Sequence, residues 1–494
     1  MLFFAEGSLP KGSLVFADLR MIVATMRRQQ LAAGFPDAAL RRDRLQRMVR
    51  LIEDHHAALA AAAAADRGFG VDPAFSAAYL VSTLAGLNHA ARHVGAWMAE
   101  DMHGAGRAQV GHWPVSYWPQ GVIGIIAPWT HPVSLALAPL AGILAAGNVA
   151  LIKLSHHAPR SSDLIADLVG RYFAPGELGV VLGDDAVGAA FAELPLAHLV
   201  FTGSARAARS VAAAAATRLM PVTLSVGGKS PAVVSADADI DAAARFIMAA
   251  KLRHAGQSSR AVDHVLVARS RLDSFVAAAR DHAARILSGT DGAPVWFPAS
   301  VKQIHHDRLV GLIADAQAHG ARRIALDLTP AEVPPGEAAP GRRRIGRNNG
   351  QGCGGACRLA PEILLDVDDT MAIMQEEVFG PILPVVAVDD DCAAIERVGG
   401  LQGSWPRPAA AWYFGADPAV QAMFAERVPA ATTMINPTCD AINLGSGPET
   451  MIPGSSLWSG EAGFHRFAVA RRLVFGHDEG HTMPMAHDIA HHLD

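Results

Sequence analysis

The sequence predicts an α/β protein built on doubly wound parallel sheets, and three observations carry that prediction. The chain has 494 residues, enough for two or three domains with large cores. Hydrophobic residues make up 51% and charged residues 18%, the balance of a well-buried globular chain and not of a disordered one. From Gly121 onward, short apolar runs alternate with helix-patterned runs. Strands that read as continuously apolar are those covered on both faces, as in a parallel sheet. Such sheets bind ligands beyond the carboxyl ends of their strands.

In chain order, Asp18 to Met102 reads as helical, with apolar residues at three- and four-residue steps. Gly68 and Gly70 interrupt the pattern between Asp66 and Asp72. Val110 to Trp118 alternates and is aromatic, which predicts a hairpin arm. Strand-like runs then fall at GVIGIIAP, NVALIKLS, GVVLGD, HLVFTGS and PVTLSV, with helical runs between them. The uncharged stretch from Val133 to Ile152 has the length of a membrane span. Pro139, Gly142, Gly147 and Asn148 divide it, so it reads as a buried helix, a turn and a core strand. A second alternating set starts at Asp263, with strands at DHVLVA, RRIALDL, EILLDV and EEVFGPILPVVAV. Residues 329–357, rich in Pro, Gly and Arg, read as a loop inserted in this second set.

Composition excludes several classes. A net charge of -5 leaves no basic footprint for nucleic acid. Four cysteines (Cys353, Cys357, Cys392, Cys439) are too few and too scattered for a disulfide framework, which points to a reducing, cytoplasmic setting. The start, MLFFAEGSLPK, lacks the basic and apolar regions of a signal peptide. No metal site is assigned. Cys353 and Cys357 lack a second ligand pair. Arg342 to Arg344 with Arg347 read as a solvated loop. Residues 477–494 read as a solvated tail, although His477, His481, His487, His491 and His492 beside Met483 and Met485 are side chains that copper, zinc or nickel take.

The chemistry-bearing motifs centre on Thr223 to Arg260. A strand-like run there ends at Gly227-Gly228, a helix-like run follows, and a tight turn closes it at His254-Ala255-Gly256-Gln257-Ser258-Ser259. Around this centre stand Pro128-Trp129-Thr130, Lys153-Leu154-Ser155-His156, Gly203-Ser204-Ala205-Arg206-Ala207-Ala208, Glu377-Val378-Phe379-Gly380-Pro381 and the segment Met451 to Phe464. In this order, from about Asp43 to Phe475, they resemble the aldehyde dehydrogenase superfamily, most closely its coniferyl-aldehyde and fatty-aldehyde branch.

The resemblance implies an aldehyde-dehydrogenase-like fold. A Rossmann-type cofactor domain would take residues 1–106 and 120–226. A second, catalytic-type α/β domain would take residues 227–439, and an oligomerisation arm residues 107–119 and 440–476. It implies a homodimer or homotetramer, a hetero-oligomer with an active homologue being a further possibility, and no membrane partner. It implies NAD or NADP as cofactor, with Trp129, Lys153, Gly203, Ser204, Glu377 and Phe379 in the binding positions. Two of the family's cofactor contacts are altered: a ribose-binding glutamate is His156, and the last glycine of the pyrophosphate turn is Ala208. Binding is therefore expected to be weakened.

At the reacting centre the resemblance places Ser259 at the family's cysteine nucleophile, Ser225 at its glutamate base and Thr130 at its asparagine oxyanion donor. A cysteine is partly thiolate at neutral pH, whereas a serine needs a neighbouring base, and Ser225 is not one. Losing one oxyanion donor costs on the order of 10²–10³ in rate. The resulting expectation is a chain that has lost dehydrogenase activity and serves as scaffold, partner subunit or ligand binder. An NAD(P)-dependent oxidoreductase of aromatic or aliphatic aldehydes is one alternative. A serine esterase is another, with His254 as the base that Ser259 would need.

Overall fold

A computed structural model describes residues 13–67, 73–99, 115–288, 303–326, 359–400, 406–439 and 455–472. Four helices open it: Ser13–Ala33, Ala38–Asp54, His56–Asp66 and Pro73–Met98. The helical region breaks earlier than its periodicity predicts, at Gly34, where φ is 73°. Pro36 brings no amide hydrogen, and Asp37 caps the next helix by accepting from Leu40 N at 2.7 Å. The buried Arg41 holds the break in place, donating to Pro36 O at 2.8 Å and Ala145 O at 3.0 Å.

Strand β1 (Val115–Pro119) precedes a five-stranded sheet of β2 (Val122–Ile126), β3 (Val149–Lys153), β4 (Leu178–Val181), β5 (His198–Gly203) and β6 (Val222–Val226). All five are parallel, in the order β4-β3-β2-β5-β6. The order changes direction between β2 and β5, which opens a crevice at their carboxyl ends. Trp129 and Thr130 follow β2, Lys153 ends β3, Ser204 follows β5 and Ser225 lies on β6. The topology thus gathers the sequence motifs along one edge of this sheet.

The second sheet has seven strands. They are β7 (Pro231–Val234), β8 (His264–Ala268), β9 (Arg322–Ala325), β10 (Glu362–Leu365), β11 (Ile382–Val388), β12 (Ala411–Phe414) and β13 (Thr433–Ile435), in the order β13-β12-β7-β8-β11-β10-β9. Only β9 runs antiparallel to its neighbour within this sheet. The patterning of the sequence does not single out β7, β12 or β13. Each has three or four residues, too few to show a period, and β7 falls in a run that otherwise reads as helix.

Both sheets are covered on both faces. In the first, Ile123, Ile125 and Val200 join the cluster of Leu140 and Ile143, while Val122, Leu151, Leu199 and Phe201 face a second cluster. In the second, Val265, Val267 and Trp412 pack with Phe246, while Leu266 and Tyr413 pack with Leu309 and Phe424. Alternate residues of one strand therefore enter opposite cores, as a doubly wound sheet requires. The apolar stretch at Val133 resolves into helices Ser134–Leu137 and Leu140–Ala145 and then β3. Among the described residues no helix is long and apolar enough to cross a membrane.

The arm is not a local hairpin. β1 pairs antiparallel with β14 (Ala468–Arg472), from Val115 opposite Arg472 to Pro119 opposite Ala468. The buried Asn148 helps to bring the two distant segments together. Its carboxamide accepts from Gly121 N at 3.0 Å and donates to Ile143 O at 3.2 Å and Phe467 O at 2.8 Å. Residues 110–114, the inserted loop at 329–357 with Cys353, Cys357 and its arginines, and the tail at 477–494 lie outside the described residues.

Because Ile143 O keeps its bond from the Asn148 backbone amide, Asn148→Ala takes the partner only from Gly121 N and Phe467 O. It should lower the unfolding free energy by about 2–4 kcal/mol in urea titrations. A loss below about 0.5 kcal/mol would show that the C-terminal strand docks without this carboxamide.

Candidate functional site

The turn after the helix Ile240–Leu252 forms as its sequence predicts, in a conformation that periodicity does not reveal. His254, Ala255 and Gly256 are all left-handed, with φ of 54°, 53° and 69°. For the two non-glycine residues this stores on the order of 1–3 kcal/mol each. The surroundings impose it: a Cβ on Gly256 would lie 2.2 Å from Gly380 O, so the turn packs directly on the 377–381 loop. Ser259 follows, its carbonyl accepting from Ser230 Oγ at 3.1 Å.

Asp263 joins these pieces. Its carboxylate, 4% exposed, accepts from Val378 N at 2.7 Å and from the Lys229 ammonium, which also donates to Ile373 O at 2.8 Å. Burial alone would raise this carboxyl. The Lys229 charge, the His264 hydrogen bond and Lys251 outweigh burial and hold it well below the usual carboxylate range.

Glu377 lies against Gly227, where an added Cβ would fall 2.4 Å from its Oε1. Burial, and next the Asp263 charge, push this carboxyl up to about 8, against the weaker pull of Arg308, Lys229 and Lys251. The shift favours the protonated form at neutral pH. Its Oε1 is buried without a hydrogen-bond partner among the described residues, as an oxygen set to meet a ligand hydroxyl would be.

A row of rings runs from this loop along the crevice. Phe379, with φ of 46°, sets its ring edge-on to Trp129 at 6.0 Å. Trp129 lies 5.1 Å from His305, His305 6.4 Å from His157, and His157 3.8 Å from His156. At the far end, Lys153 Nζ donates to Leu154 O and Gly183 O, both at 2.7 Å, and burial brings it down to about 8. Ser204 caps the helix Ala205–Ala216, accepting from Ala207 N at 3.3 Å. Ala208 is buried in the apolar cluster that holds Phe201 and Val211, so the position that is glycine in the resembling pattern is a packing residue here.

The surroundings of Thr130 are basic and aromatic. The Arg67 guanidinium donates to its carbonyl, and burial brings that guanidinium down to about 10. The rings of Tyr79 and His131 lie 4.0 Å apart and line a small cavity with Arg67. His254 sits well below its ordinary value because of burial first, then the charges of Arg67 and Arg253. An imidazole so reluctant to take a proton is a poor general base for Ser259.

The structure therefore brings Trp129, Phe379 and Glu377 to one end of the crevice, and Lys153 and His156 to the other. Sequence reasoning missed Asp263, His157, His305, Arg67 and Tyr79. Asp263 follows Ser259 closely in the chain, and a lone acid opening an apolar strand was the available signal. His305 has no local signal, because only tertiary packing carries its helix, Gln303–Ala318, to Trp129.

The chain matches the aldehyde dehydrogenase family over residues 16–444 and belongs to that family. It is 34% identical to a coniferyl aldehyde dehydrogenase of a Pseudomonas species over 451 residues, 91% of this chain and 89% of the relative. It is also 34% identical to a probable coniferyl aldehyde dehydrogenase of Caulobacter vibrioides over 479 residues, 95% and 93% of the two chains. Among solved structures, an aldehyde dehydrogenase of Staphylococcus aureus superposes with a TM-score of 0.75 at 24% identity, covering 94% of this chain and 95% of that one. An NAD-dependent benzaldehyde dehydrogenase of Corynebacterium glutamicum superposes with a TM-score of 0.72 at 22% identity, covering 93% and 90%. These superpositions establish the fold.

Two predictions follow from the charges. Asp263→Asn leaves the Lys229 ammonium buried without its counter-charge and should cost about 3–5 kcal/mol of stability in denaturant titrations. The Glu377 carboxyl keeps its proton when folded and loses it when unfolded, so its contribution is complete at low pH and fades as pH rises towards 8. Melting temperatures should therefore show Glu377→Gln gaining on the unaltered protein from about pH 5 to 8 and level above that. A pH-independent difference would rule out a protonated Glu377.

Proposed function

We propose that this family member has lost aldehyde oxidation and keeps a ligand-binding crevice, acting as a binding or partner subunit. One observation carries the reading: hydroxyls stand at both reacting positions, Ser259 on the strained turn and Ser225 on β6. Oxidation by this family's route needs a thiolate to attack the aldehyde and a carboxylate to activate water. Glu377, beside Gly227, is pushed towards its protonated form by burial and by the Asp263 charge, so it is not a ready carboxylate at that position. The weak basicity of His254 argues against the serine esterase reading.

The crevice retains features of a dinucleotide site at one end only. Trp129, Phe379 and the unpartnered Oε1 of Glu377 suit a nicotinamide ribose. At the other end His156 offers an imidazole in place of a carboxylate that would accept two ribose hydroxyls. NAD or NADP is therefore the favoured ligand, bound more weakly than in an active relative. When bound, the dinucleotide would be the hydride acceptor, and Trp129 and Phe379 would orient its ring. The pairing of β1 with β14 gives the chain the arm through which it would assemble, as a homodimer, a homotetramer or a mixed oligomer with an active homologue.

The test combines calorimetric titration with NAD and NADP and a turnover assay on coniferyl aldehyde and benzaldehyde. Dinucleotide should bind, and reduced dinucleotide should form at least about 10⁴-fold more slowly than by an active relative, since nucleophile and base act as one unit. Ser259→Cys with Ser225→Glu should restore measurable turnover. Turnover by the unaltered chain at about 1–10³ s⁻¹, the ordinary enzymatic range, would establish the alternative, an oxidoreductase of aromatic or aliphatic aldehydes.

A further inference from the structure

At the Lys153 end of the crevice three potential metal ligands converge. His156 and His157 follow β3, and Asp185 opens the helix Asp185–Ala192 that follows β4. One ligand atom from each of the three lies within 4.8 Å of the other two. The two imidazole rings are 3.8 Å apart, and His156 Nδ1 is 3.9 Å from Asp185 Oδ1. Donors around a tetrahedral zinc stand roughly 3.3 Å apart, so side-chain rotation alone closes the set.

The backbone beneath the cluster is fixed. Lys153 Nζ ties Leu154 O to Gly183 O at 2.7 Å each, joining the two loops that carry the ligands. Ser162 Oγ donates to Ser155 O at 2.9 Å, and His157 N donates to Ser155 Oγ at 3.2 Å. Asp184 spends its carboxylate on Ala186 N and Val187 N as helix cap. Asp185, beside it, is exposed and projects a carboxylate with no such duty. The ring row through His305 and Trp129 leads from the cluster into the crevice.

We infer that His156, His157 and Asp185 form a site for a borderline divalent ion of the zinc, cobalt or nickel class, at the mouth of the ligand crevice. Two imidazole nitrogens and one carboxylate oxygen suit such ions and not magnesium or calcium, which take all-oxygen sets. Three protein ligands leave a position for water or for an oxygen of whatever enters the crevice. The inference stands whether or not aldehyde oxidation is lost, because it uses none of Ser259, Ser225 and Thr130.

The test is calorimetric titration of the full chain with zinc chloride and cobalt chloride. The histidines of the tail (His477, His481, His487, His491 and His492) are replaced by glutamine, so that they do not compete. One ion should bind per chain at micromolar affinity or better, and an equimolar magnesium salt should not displace it. His156→Ala with His157→Ala should abolish binding. Asp185→Asn, at an exposed position, should weaken it at least 10-fold. Cobalt should give the intense visible absorption of a four-coordinate ion, lost in the same variants. Affinity unchanged in Asp185→Asn and in the folded double variant, or no binding once the tail histidines are gone, would overturn the site.

Discussion

The structure around the crevice depends on one buried carboxylate. Asp263 sits at the entry to β8 and reaches two other segments at once, the 227–230 loop through Lys229 and the 377–381 loop through Val378 N. A charge nearly removed from water is tolerable only with its counter-charge and donors in place, so the three segments have one mutual arrangement. That arrangement presses Gly256 onto Gly380, forces the left-handed turn before Ser259 and holds Glu377 against Gly227. The strain of the turn is offset by the packing it permits.

This dependence does not draw on the side chains at positions 259 and 225. Ser259 contributes its backbone carbonyl to the network and Ser225 its strand position on β6; neither role uses a thiol or a carboxylate. Substitution at either position therefore leaves the frame intact. Asp263, Lys229 and the close-packed glycines have no such freedom, because each is held by contacts on several sides. Stability and chemistry reside in different atoms of the same segments.

The crevice also differs in character along its length. One end keeps the aromatic pair and a neutral carboxyl, a setting for uncharged or hydroxyl-rich groups. The other presents adjacent imidazoles facing Asp185. A carboxylate accepts hydrogen bonds only, while an imidazole donates, accepts or ligates. Exchanging one for the other alters which ligands are recognised, without disturbing Lys153 beneath, whose hydrogen bonds go to the backbone.

Much of this was written in the sequence. Apolar runs alternating with helical runs announce a covered parallel sheet, because only strands buried on both faces dispense with polar alternation. The motifs at Trp129, Lys153, Gly203 and Glu377 are local strings, so the family is legible without coordinates. Tertiary structure alone decided what no local string encodes. It paired β1 with β14 through Asn148, placed His305 beside Trp129, set His156 and His157 against Asp185 and made Asp263 the common partner of distant loops. The division has a physical cause. Periodicity and turn chemistry are properties of neighbours along the chain, whereas burial, protonation state and ligand geometry belong to neighbours in space, and those exist only once the sheets have closed.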